Sequence, residues 1–95
     1  MIVVSIRKDG ITVIGHASYA PPGQDIVCAG VTALTQTMIK AIVDLTADRI
    51  EYEISPGRDA IQYGKLSTKS KTLVDSFFIG VSQISGEFPE CVNKI

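Results

Sequence analysis

The chain has 95 residues, nine basic and ten acidic side chains, and a formal charge of −1. So balanced a chain lacks the positive field that non-specific nucleic-acid binding needs, and no direct nucleic-acid contact is expected. One histidine and two cysteines fall short of an ordinary four-ligand zinc site and of a dense disulfide scaffold, so neither metal nor cofactor is expected.

Hydrophobic residues make up 45% and charged residues 20%, which argues for a single folded domain over residues 1–95. The N-terminus lacks the basic n-region and long apolar stretch of a signal peptide. The apolar run 26–39 has 14 residues and is interrupted by Thr32, Thr35, Gln36 and Thr37. A membrane span needs about 20 apolar residues. A soluble, cytoplasmic protein without membrane contact is the expectation.

Ile2, Val4 and Ile6 alternate with Val3, Ser5 and Arg7, the period of a strand. Lys8-Asp9-Gly10 is a tight-turn signal, and residues 11–14 read as the return strand, with Gly15 and His16 at its end. Residues 17–24 form a loop, closed by Pro21-Pro22-Gly23. Asp25 is a good N-cap for a helix predicted from 26 to about 45. Its stripe is Val27, Val31, Leu34, Met38, Ala41 and Leu45, widened by Ile39, Ile42 and Val43.

Ile50, Tyr52 and Ile54 alternate with Glu51 and Glu53, which predicts a half-buried strand. Residues 55–59 read as a turn, and Ile61 and Tyr63 as its hairpin partner. A second helix is predicted over about 69–86, with Leu73, Phe77, Val81 and Ile84 on one stripe and Val74 and Phe78 beside it. Pro89 stops it, and residues 91–95 supply a short final strand. The order β-β-α-β-β-α-(β) predicts an α/β (α+β) single-domain sandwich. Its mixed, mostly antiparallel sheet is built of two hairpins, with two helices on one face.

Between Asp9 and Lys40 only Asp25 is charged, and this segment holds the lone His16 and Cys28. With Asp25 as cap, Cys28 is the third helical residue. First-turn amides lack intrahelical partners, and the helix dipole favours an anion such as a thiolate. His16 ends a neighbouring strand, so the loop can fold its imidazole over the helix start. The same amides are candidates to hold a developing oxyanion. Nucleophile, base and oxyanion site are thus within reach of one strand end and one helix start. The bland alternative is a buried structural cysteine. Asp25 is expected to act as a cap before it orients His16. Thr32, one turn on, is expected to bond back to the Cys28 carbonyl. Cys91 has no histidine nearby in sequence. Arg58, Lys65, Lys69 and Lys71 form a basic stretch, read first as solvated and second as a site for RNA or an acidic peptide.

Gly15-His16-Ala17, followed by Gly23-Gln24-Asp25-Ile26-Val27-Cys28-Ala29 and a hydroxyl residue at Thr32, resembles the ribosomal-processing cysteine proteases called Prp, of Firmicutes and related bacteria. The resemblance extends to the element order over nearly the whole chain. It implies a Cys–His endopeptidase that removes the N-terminal extension of a large-subunit ribosomal protein precursor, cleaving after a Phe-rich hydrophobic sequence. The ribosomal protein concerned lies near the peptidyl-transferase centre. Cys28 matches the nucleophile and His16 the general base. Gly15, Asp25, Ala29 and Thr32 match supporting positions, with Thr at 32 where the family commonly has Ser. The loop, with Ala17, Ser18, Tyr19 and Gly23, resembles a mobile flap that closes over peptide. The resemblance also implies a homodimer, and some relatives process phage capsid or scaffold proteins. The near-zero net charge favours a substrate held through apolar side chains and backbone. The alternatives are a non-catalytic dimeric module that binds a ribosomal protein or RNA, and a redox or metal role requiring Cys91 beside Cys28.

Overall fold

A computed structural model describes all residues, 1–95. The elements are β1 (Ile2–Arg7), β2 (Gly10–Gly15), α1 (Ile26–Leu45), β3 (Ile50–Ser55), β4 (Arg58–Tyr63), α2 (Thr68–Glu87) and β5 (Val92–Lys94). They form one five-stranded sheet in the order β3-β4-β2-β1-β5. All pairs are antiparallel except β1 with β5. The fold is the mixed α+β sandwich that the element order predicts.

Both hairpins turn on two residues. Arg7 pairs with Gly10 across Lys8-Asp9, and Ser55 pairs with Arg58 across Pro56-Gly57. The second turn is therefore shorter than the predicted 55–59, and Arg58 and Asp59 belong to β4. Proline at its first corner and Gly57 at φ 75° at its second match a type II turn.

Period-two alternation sends Ile2, Val4, Ile11, Val13, Ile61 and Val92 to one side of the sheet, where all are buried. Both helices cover that side. α1 contributes Val27, Val31, Met38, Ile39 and Ile42, and α2 contributes Val74, Phe77 and Val81, to the same cluster. Each such side chain stabilises the fold by roughly 1.5–3 kcal/mol. Thr35 also belongs to the interior. It is fully buried, and its hydroxyl donates to the Val31 carbonyl at 2.8 Å.

α1 has 20 residues and by length and composition alone is apolar enough to cross a membrane. Here it is the central core helix. Its apolar stripe is shorter than predicted, because Val43 and Leu45 are exposed. Tyr52 and Ile54 are exposed too, so β3 is not the half-buried strand that its alternation suggests. It lies at the sheet's edge, where its apolar side faces open space beside the C-terminal part of α1.

Candidate active site

The site begins where β2 ends. Gly15 has φ 106°, and a Cβ there would overlap the Met1 carbonyl oxygen, so only glycine fits. Its amide donates to the Gly57 carbonyl at 2.8 Å, which ties the strand end to the β3–β4 turn. The chain then leaves the sheet with the His16 side chain exposed and Ala17 buried.

Asp25 organises the next segment. Oδ1 accepts the amides of Val27 at 3.0 Å and Cys28 at 2.9 Å, the N-cap expected from the sequence. Oδ2 accepts the amide of Tyr19 at 3.0 Å and that of Ala20 at 3.4 Å. One carboxylate thus fastens the loop to the helix start. Foremost the Cys28 amide, and with it those of Tyr19, Ala20 and Val27, holds its pKa below the usual carboxylate value, against a smaller upward push from desolvation. Tyr19 sets its ring edge-on to Phe88, with centroids 5.2 Å apart.

This cap corrects one expectation. The amides of Val27 and Cys28 donate to Asp25, and that of Ala29 to the Asp25 carbonyl at 3.0 Å. They are not free to hold an oxyanion. The amide aimed at the sulfur is that of Ala17, which donates to Cys28 Sγ at 3.3 Å. Nor does Thr32 bond back to the Cys28 carbonyl; its exposed side chain makes no hydrogen bond within the chain and lines the cavity described next.

Gly15, His16, Cys28 and Thr32 line one cavity of about 350 Å³, completed by Gln36 and the β3–β4 turn with Asp59. The imidazole and the thiol share this space, but no hydrogen bond joins them. The ring instead packs against the turn. A Cβ on Gly57 would lie 2.9 Å from His16 Nε2. Asp59 pairs with Val13 and Ile54 and shares the helix-facing side of β4 with Ile61. Burial there raises its carboxyl pKa, offset in part by a hydrogen bond from the Ser55 amide.

The remaining predicted site residues lie outside the cavity wall. Ala29 is exposed on the next step of α1. Ser18, with φ 56°, and Tyr19 belong to the tethered part of the loop, and Gly23 to its exposed tip. Gln36, Gly57 and Asp59 were not legible as site residues. Gln36 stands two turns beyond Cys28 on the same helix face. Asp59 carries the one available signal, an acid in phase with the apolar Ile61. Cys91 lies by β5, where its carbonyl accepts the Ile2 amide, and both cysteines are free thiols. A larger hollow of about 880 Å³ on the open side of the sheet holds neither cysteine nor histidine.

Comparison with known proteins places the fold and the family. The ribosomal processing cysteine protease Prp of Staphylococcus aureus strain Mu50 is 29% identical over 79 residues, which cover 80% of this chain and 74% of that protein. Its counterpart from Bacillus subtilis strain 168 is 39% identical over 51 residues, 47% of this chain and 46% of the relative. The crystal structure of an S. aureus ribosomal processing protease Prp, in complex with a covalently linked product peptide, has the same fold. Its TM-score is 0.92 at 23% identity, with 99% of this chain and 97% of that one covered. The family model for cysteine protease Prp matches residues 1–93, nearly end to end, and the chain belongs to that family.

Proposed function

We propose that the chain is a thiol endopeptidase that removes the N-terminal extension of a large-subunit ribosomal protein precursor, the one near the peptidyl-transferase centre. Cleavage follows a Phe-rich hydrophobic sequence. The names of the S. aureus and B. subtilis relatives support ribosomal processing, and the product-linked S. aureus structure supports a peptide substrate. The observation that carries the reading is local: the only histidine and Cys28 line one cavity, with the Ala17 amide on the sulfur.

In the proposed reaction the His16 ring swings from Gly57 toward Sγ and takes the thiol proton. Sγ attacks the peptide carbonyl carbon, and the Ala17 N–H, already beside the sulfur, donates to the oxyanion. The C–N bond breaks as the imidazolium protonates the leaving amine. Water, deprotonated by His16, then cleaves the thioester and restores the thiol. The exposed tip of the loop, residues 21–24, acts as the flap over bound peptide. The enzyme works as a cytoplasmic homodimer.

The competing reading is a non-catalytic module that binds a ribosomal protein or RNA through the basic stretch Arg58, Lys65, Lys69 and Lys71. Arg58 lines both the Cys28 cavity and the hollow on the open side of the sheet, which shares Tyr63 and Gly64 with the hollow lined by Lys65 and Lys71. Iodoacetamide labelling of Cys28 near pH 7 tests the proposed pair. His16→Ala is expected to slow it, and an unchanged rate would overturn the pairing.

A further inference from the structure

The loop between β2 and α1 has few side-chain anchors. Of residues 17–24 only Ala17 is buried. Tyr19 carries the loop's one aromatic side chain, and its ring meets Phe88 edge-on. Phe88 comes from the far end of the chain and is fixed on both sides. It caps the C-terminus of α2, where its amide donates to the Ile84 carbonyl at 2.8 Å. Its carbonyl accepts the amides of Cys91 at 2.9 Å and Val92 at 3.3 Å, at the entry to β5, which pairs with β1. The Phe88 side chain also packs against the hydrophobic core.

We propose that Phe88 is a positioning residue: through the Tyr19 ring it fixes the loop so that the Ala17 amide stays against the Cys28 sulfur. On the peptidase reading, which this inference extends, that amide donates to the oxyanion, and Phe88 acts without touching substrate. The backbone of the loop shows why Asp25 does not suffice. The amides of Tyr19 and Ala20 both donate to one oxygen, Asp25 Oδ2, and the second bond is long at 3.4 Å. A segment hung from one atom can turn about it, and a second fixed point stops the turning. The edge-to-face contact with Phe88 is that second point, and such pairs are favourable beyond the area they cover. Turning would reach the sulfur directly, because Ser18 alone separates Tyr19 from Ala17. Ser18 has φ 56°, a left-handed conformation that persists in a non-glycine residue where its surroundings impose it.

Hydrogen exchange of the Ala17 amide, read by NMR on the whole protein, tests this link. Phe88→Ala is expected to speed it roughly two- to tenfold, the worth of one aromatic pair, and Phe88→Tyr to restore the wild-type rate. Tyr19→Ala, in the exposed loop, should have the same effect while the α1 core residues Val31 and Ile42 exchange as in wild type. In the double variant the two effects should not add. Cleavage of a peptide carrying the Phe-rich precursor sequence gives the second readout. There kcat should fall about twofold or more in Phe88→Ala with KM little changed, and recover in Phe88→Tyr. A Phe88 that merely supports the core would speed exchange at Val31 and Ile42 and leave Ala17 unchanged, which would overturn the assignment. So would unchanged Ala17 exchange in Tyr19→Ala, additive effects in the double variant, or an unchanged kcat in Phe88→Ala. If Phe88→Ala does not fold, Tyr19→Ala decides alone. Failure of the peptidase reading looks different: wild-type protein leaves the peptide intact, and Ala17 exchange still responds to Phe88.

Discussion

The Ala17 amide donates to Cys28 Sγ across 3.3 Å, so the residue after the only histidine is held against the sulfur. In the proposed reaction this amide serves as oxyanion donor in place of those of Val27 and Cys28, which Asp25 occupies. Exchanging the Ala17 amide for an ester removes the N–H while keeping the side chain. Turnover is expected to fall on the order of 10²-fold, the usual effect of losing one oxyanion donor, with peptide affinity little changed. Single-turnover kinetics beside binding measurements separates the two.

Gly57 is expected to accept a side chain only with strain. Its φ of 75° places an alanine in the left-handed region, at a cost of about 1 kcal/mol. The new Cβ would also stand 2.9 Å from His16 Nε2. Gly57→Ala should lower the melting temperature modestly and reduce kcat more than it raises KM, because the displaced group is the proposed base. Steady-state kinetics at constant temperature checks this.

Asp25 carries a pH signature. Its pKa is lowered in the folded protein, first by the Cys28 amide, so its contribution to stability is present above the unfolded value of 3.8. That contribution is lost as pH falls through the lower, folded value. Asp25→Ala is expected to melt below wild type at pH 7, and the difference should vanish in acid. Melting curves from pH 7 down to about pH 2 give the answer.

Asp59 runs the other way. Burial raises its pKa, so the folded state holds the proton more tightly and loses stability as pH rises from 3.8 through the folded value. Asp59→Asn removes that penalty. The variant should melt above wild type at pH 7, and the gap should close below the ordinary aspartate range. The same pH series tests both carboxylates with opposite expected signs.

What the sequence reveals follows from how local each signal is. α1 was legible from end to end because Pro21-Pro22-Gly23 and the Asp25 cap mark its start and a 3,4 stripe runs through it. The juxtaposition of His16 and Cys28 was legible for the same reason, since one short loop and one cap bring them together. Tyr52 and Ile54 misled, because alternation shows that a strand has an apolar side and not whether a helix covers it. Their exposure depends on β3 being the sheet's edge, a non-local fact. Asp59 reads as a turn residue in sequence, because the two-residue turn 56–57 is shorter than its Ser-Pro-Gly-Arg-Asp composition suggests. That the Val27 and Cys28 amides are occupied depends on which way the Asp25 oxygens point, which no sequence pattern gives.

The most direct measurement is mass spectrometry of a ribosomal-protein precursor carrying a Phe-rich N-terminal extension, incubated with wild-type protein and with Cys28→Ala. The account predicts a single truncation after the hydrophobic sequence with wild type, and intact precursor with the variant. Equal truncation by Cys28→Ala, or an intact precursor in both, would contradict it.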